Sequence, residues 1–169
     1  METEFSYDWS KFVKRITVNA PLERIYEAWT TKKGLESWFL RSAEFKSSDG
    51  NLLPASQRVV INDTYEWFWH GWDDNTVENG KILEADGKDY LKFVFGKAGT
   101  VSVKIFSEAG EIVVELLQEK IPIDEKDKVN YHMGCSTGWT FYLANLKSVL
   151  EGGIDLRNKN VKIFNVVNS

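Results

Sequence analysis

The sequence predicts an α+β fold in which a curved antiparallel β-sheet wraps around a long C-terminal helix, with two short helices after the first strand. Three observations carry this. At about 100° per residue, Cys135, Trp139, Tyr142, Leu143, Leu146, Val149 and Leu150 share one arc, with Thr140, Lys147 and Glu151 opposite, so residues 135–151 form an amphipathic helix. Residues 90–119 hold three alternating apolar runs separated by glycine turns, the pattern of an antiparallel meander. Residues 21–39 carry apolar side chains at helical spacing instead.

Taken in order, residues 11–19 alternate, with Phe12, Ile16 and Val18 on one side and Val13, Arg15 and Thr17 on the other, which is a strand. Pro21 suits a helix start, Glu23 complements the positive end of its dipole, and Leu22, Ile25, Tyr26 and Trp29 form its apolar face. Thr30-Thr31 can cap a second short helix carrying Leu35, Trp38 and Phe39. Residues 43–46 and 58–61 read as short strands around a Ser-Asp-Gly-Asn turn and the Pro54 loop. Over residues 65–70, Tyr65, Trp67 and Trp69 share the inward face and Glu66, Phe68 and His70 the outward one. Residues 77–84 are a strand whose internal Gly80 signals a bulge or bend.

In the meander, Leu91, Phe93 and Phe95, then Val101, Val103 and Ile105, then Ile112, Val114 and Leu116 form three apolar rows. A sheet wet on one face needs a cover on the other, and the C-terminal helix supplies it. From residue 136 to 151 that helix spans about 24 Å, enough to cross about five strands. Ser136 or an earlier residue caps its start, and Gly152-Gly153 ends it. The whole chain, residues 1–169, reads as one domain, with 154–169 a tail that packs or adds a short strand within 161–167.

Composition narrows the function. A net charge of −4 with no long basic run argues against nucleic-acid binding, because sequence-independent affinity for phosphates comes from clustered Lys and Arg. The lone Cys135 forms no internal disulfide, and no apolar run is long enough for membrane insertion, so the expected compartment is the cytoplasm. There is no Gly-rich phosphate loop and no dinucleotide fingerprint, so no cofactor is expected. His70 and His132 form no spaced ligand set with Cys135, so no metal is expected. Asp73 and Asp74 sit in a turn, where Asp commonly bonds its own backbone. The unusual feature is aromatic content of 14%, including seven Trp.

The order of elements resembles the helix-grip fold of START-like, or Bet v 1-like, proteins. The stretch Val18-Asn19-Ala20-Pro21-Leu22-Glu23-Arg24-Ile25-Tyr26-Glu27-Ala28-Trp29-Thr30, the stretch Gly34-Leu35-Glu36-Ser37-Trp38-Phe39, and Gly138-Trp139 with Leu143, Asn145-Leu146 and Leu150-Glu151 resemble the family named after the activator of the Hsp90 ATPase. The resemblance runs from Lys11 to about Leu156. It implies a cavity between sheet and helix, used in such families for lipids, hormones or polyketides, and it offers a chaperone as an alternative partner.

The candidate ligand-binding residues are therefore the rings and apolar groups facing that space: Trp38, Phe39, Trp67, Trp69, Phe93, Phe95, Val103, Val114, Gly138, Trp139, Tyr142 and Leu146. The same set serves equally as a filled core. Gly134 and Gly138 remove bulk from the helix, and Gly138 either opens a pocket or lets helix and sheet approach closely. Tyr142 and Asn145 are expected to bring polar atoms to the pocket's inner edge. The expected function is a non-enzymatic domain binding a small hydrophobic molecule. A cyclase-like or hydrolytic alternative requires at least two of Tyr142, Tyr65, Glu66, His70 and His132 to converge in one pocket.

Overall fold

The computed structural model describes residues 5–167. Strand β1 (Phe12–Thr17) is followed by α1 (Leu22–Thr30) and α2 (Lys32–Trp38), then by β2 (Ser42–Lys46), β3 (Thr64–Phe68), β4 (Glu78–Ala85), β5 (Tyr90–Val94), β6 (Thr100–Glu108) and β7 (Glu111–Glu119). One turn, α3 (Glu125–Asp127), leads through a π-helical segment (Lys128–Met133) into α4 (Gly134–Leu150). The seven strands pair antiparallel in the order β1-β7-β6-β5-β4-β3-β2. This is the curved sheet closed by a C-terminal helix that the periodicities predict.

Register follows the alternation. Leu91 stands opposite Val103 and Val103 opposite Leu116, while Phe93 stands opposite Val101 and Val101 opposite Gln118, so each row crosses the meander on one face. Those rows are buried, as are Trp139, Tyr142, Leu143, Leu146 and Leu150 of α4. The Thr31 hydroxyl caps α2 by accepting from the Gly34 N–H at 2.9 Å. Gly34 is required there. A Cβ on it would collide with Glu27 O and stand 2.7 Å from Ala28 Cα, so the two short helices could not cross so closely.

Three local expectations need correction. Residues 58–61 form no strand: Asn62 adopts φ +76°, and the Asp63 carboxylate takes the Val60 N–H at 2.8 Å, turning the chain before a ladder can extend. The β4 irregularity falls between Ile82 and Glu84, whereas Gly80 faces Tyr65 and gives up its Cβ to that ring. The cap is an earlier residue than Ser136, as the sequence allows: the Asp124 side chain accepts the Asp127 N–H at 3.0 Å at the start of α3, from which the chain runs helically into α4. No strand forms within 161–167, because the Asn158 and Asn160 side chains bond nearby backbone and bend the tail.

Behind α4 the tail is tied down by Arg157, whose guanidinium donates to Leu40 O and Glu36 O at 2.9 Å each and to the Asp155 carboxylate at 2.8 Å. Asn145 joins this network. Its Nδ2 donates to Trp38 O at 2.7 Å and its Oδ1 accepts the Leu156 N–H at 2.7 Å. Helix α4 is thereby fixed to α2 on one side and to the chain that follows it on the other.

Candidate functional site

The rings between sheet and helix divide into two layers. The deeper layer is packed solid. Trp29 and Trp38 lie 4.6 Å apart between centroids, Tyr65 and Trp67 stack at 3.8 Å, and Trp67 meets Phe93 edge-on at 5.3 Å. Phe39 ends this layer, stacked on Trp38 at 5.2 Å, and its environs belong to the next. From there it stacks on Trp139 at 4.9 Å and meets Tyr142 edge-on at 4.9 Å and Trp69 at 5.7 Å. Beyond these rings lies a cavity of about 720 Å³.

Six segments build its wall. The end of α2 contributes Phe39; the β3–β4 connection contributes Trp69, Trp72, Thr76 and Val77; the start of β4 contributes Glu78 and Asn79. The chain after β5 supplies Phe95 and residues 96–98, the π-helical segment supplies Asn130 and Tyr131, and the first turns of α4 supply Gly134, Cys135, Gly138, Trp139 and Tyr142. Trp139 is fixed in rotation. Its indole N–H donates to Gln118 Oε1 at 2.8 Å, and Gln118 Nε2 donates to Ala98 O at 2.9 Å, a buried chain from helix to sheet. A wall of mutually packed rings held by such bonds is rigid and pre-formed.

A Cβ built on Gly138 meets no atom within 4 Å. Gly138 therefore does not serve close helix-to-sheet approach; it leaves open space above Trp139. Gly134 is similar, its Cβ coming no nearer than 3.6 Å to Val129 O.

The wall is mostly apolar but carries a carboxylate. Glu78 is half-buried, and this burial raises its pKa above the usual carboxylate range. Burial pushes up the Cys135 thiol, with a hydrogen bond to Gln118 opposing and the Glu78 charge adding to it. Burial also raises the Tyr65 phenol, again with Glu78 contributing, and its hydroxyl donates to Val94 O. The Tyr142 phenol is pushed up to about 12, mainly by burial. At neutral pH these two phenols and the thiol are uncharged.

A family profile described as "Activator of Hsp90 ATPase homolog 1-like protein" matches residues 19–151. The chain belongs to this family. No curated protein matches the sequence. Among solved structures, protein SSP2350 from Staphylococcus saprophyticus superposes with a TM-score of 0.67 at 20% identity, covering 87% of this chain and 96% of that one. The Aha1 dimer from Colwellia psychrerythraea gives 0.64 at 19% identity, covering 85% and 97%. DynU16, described as a putative protein of the dynemicin biosynthetic locus, gives 0.67 at 15% identity; 89% of this chain covers 50% of that one. At these identities the likeness shows the shared helix-grip fold.

Within this family fold, the twelve sequence-predicted residues separate cleanly. Phe39, Trp69, Phe95, Gly138, Trp139 and Tyr142 line the cavity. Trp38, Trp67, Phe93, Val103, Val114 and Leu146 are buried in the packed layer. Asn145 does not face the cavity, because its amide is committed to Trp38 O and the tail. Of the five groups considered for acid–base chemistry, only Tyr142 lines the cavity. Glu66 is exposed, and His70 borders a separate cavity of about 400 Å³ against the tail. Both ring nitrogens of His132 are engaged at 2.8 Å, one by the Tyr7 hydroxyl and one by Trp9 O, so His132 is not aimed at Cys135 as a base. Among the described residues no group of three His, Cys, Asp or Glu side chains is placed to hold a metal, and no helix is long and apolar enough to cross a membrane.

Sequence reasoning missed Glu78 and Gln118, and alternation held the signal for both. Glu78, Gly80 and Ile82 share a face, as do Ile112, Val114, Leu116 and Gln118, and in each set the apolar members point inward.

Proposed function

We infer that the chain is a binding domain that holds a lipid or another small hydrophobic molecule between the sheet and α4. The observation that carries this is the cavity of about 720 Å³, walled by Phe39, Trp69, Phe95, Trp139 and Tyr142 and left open at Gly138. Its volume lies within the roughly 300–1,000 Å³ typical of small-molecule sites, and its lining is apolar with few polar groups. The six buried residues Trp38, Trp67, Phe93, Val103, Val114 and Leu146 act behind this wall by holding its rings in place. Native mass spectrometry of protein purified from cells, paired with thermal-shift measurements against fatty acids, sterols and aromatic polyketides, tests the reading. A retained small molecule or stabilisation by one class is expected; neither appearing would refute it.

The family description favours one second reading, a chaperone-linked interaction protein. Ile123, Val129 and Met133, on the lead-in to α4, expose 61%, 58% and 52% of their surface and offer apolar side chains to a partner. A pull-down and ATPase assay with purified Hsp90 decides it, since absence of both binding and stimulation removes this reading.

A further inference from the structure

We propose that the ligand of this cavity carries a cationic amine or ammonium head, seated among the aromatic rings with Glu78 as its counter-ion. The proposal rests on the hydrophobic-ligand reading and specifies the polar end of that ligand. Its basis is the pairing of a fixed carboxylate with ring surface in one cavity.

Glu78 is held in place by the fold. It opens β4 as the direct cross-strand partner of Trp67, whose ring is buried, so its side chain leaves the sheet on the same inward face. The carboxylate then lies against Gly96, φ +48°, where a Cβ would stand 2.6 Å from Glu78 Cδ. Gly96 reserves the space the carboxylate fills.

Among the described residues, no hydrogen bond or ion pair reaches the Glu78 carboxylate. Other partly buried acids differ: Glu119 meets Lys92 at 3.0 Å, and Asp155 meets Arg157 at 2.8 Å. Removing a carboxylate from water without a partner is costly, and a ligand cation would relieve that cost. The aromatic faces around it are also electronegative, and cations are drawn to such faces within about 6 Å of the ring centre. Among the described residues, Lys97 is the single cationic side chain on the cavity wall, and it is exposed. An anionic head entering the cavity would meet the Glu78 carboxylate on its wall.

Three probes sharing one tail decide the matter: octyltrimethylammonium, octan-1-ol and octanoate, each titrated calorimetrically below its aggregation concentration at low ionic strength. The ammonium is expected to bind about tenfold or more tightly than the alcohol, and octanoate most weakly. Glu78→Gln keeps the shape and a hydrogen-bonding group while removing the charge. It should abolish the ammonium's advantage and leave octan-1-ol unchanged, whereas Lys97→Ala should not weaken the ammonium. Equal binding of all three probes, preference for octanoate, or an ammonium affinity indifferent to Glu78→Gln overturns the proposal while the hydrophobic cavity stands. Binding of none of the three also overturns the proposal, and the hydrophobic-ligand reading is then decided separately by the mass-spectrometric and thermal-shift screen.

Discussion

Replacing Gly138 by alanine separates an open cavity from a close-packed helix face, because the two arrangements require opposite signs. Gly138 lies in the second turn of α4, so alanine gains the intrinsic helix preference of about 0.8–1.0 kcal/mol over glycine. The new methyl meets nothing within 4 Å, so neither a steric cost nor a packing gain modifies that figure. The expected change is therefore a stabilisation of about 1 kcal/mol, or about 2–4 °C in Tm for a domain of this size. Urea unfolding followed by far-ultraviolet circular dichroism measures it, with an unchanged slope showing that native and unfolded compactness are intact. Gly34→Ala is the necessary contrast. It makes the same chemical change where a Cβ strikes the backbone of α1, and it should destabilise strongly. A loss of stability in Gly138→Ala would refute the reasoning, for it would mean that sheet or loop already occupies the space above Trp139.

Three further outcomes follow from the polar groups. Arg157→Leu should cost about 3–5 kcal/mol, since it leaves Glu36 O, Leu40 O and the Asp155 carboxylate without their buried guanidinium; thermal unfolding reads this directly. The Asp155 carboxyl would be raised by burial alone, but bonds from Arg157 and Lys159 hold it well below its ordinary value of 3.8. Its stabilisation is therefore full above about pH 4 and lost as pH falls through the lowered folded pKa, so Asp155→Asn should lower stability at neutral pH and flatten the acid limb of a stability–pH curve. Thr100→Val should stabilise by about 1 kcal/mol, because the buried Thr100 hydroxyl has no hydrogen-bond partner while valine keeps the branched shape β6 favours; a loss in chemical denaturation would show that the hydroxyl does hold a bond.

The sheet and its covering helix were legible because their signals are redundant. Each meander strand has its own alternation and its own glycine turn, and the register they imply places Leu91, Val103 and Leu116 in one row without appeal to distant residues. Residues 58–61 failed for the opposite reason. Their apolar run is short, and a single left-handed Asn62 with the Asp63 side chain outweighs it. The π-helical segment was invisible because its apolar spacing continues that of a helix, and only the hydrogen-bond pattern distinguishes it.

The site was half legible, and Phe39 shows why. Periodicity states which face a ring is on, and it assigned all twelve candidates to the space between sheet and helix. It does not state how deep along that space each ring sits. Depth depends on where α2 ends and how α4 is pinned, which the chain sets through distant bonds: Asn145 to Trp38 O, Arg157 to Leu40 O, and Trp139 through Gln118 to Ala98 O. These bonds fix Phe39 between two stacks, with Trp38 beneath and Trp139 beside it. Rings on its inner side fill the core and rings on its outer side line the cavity. The aromatic excess thus does both things at once: the packed layer makes the wall rigid, and a rigid wall is what keeps about 720 Å³ from collapsing onto Gly138.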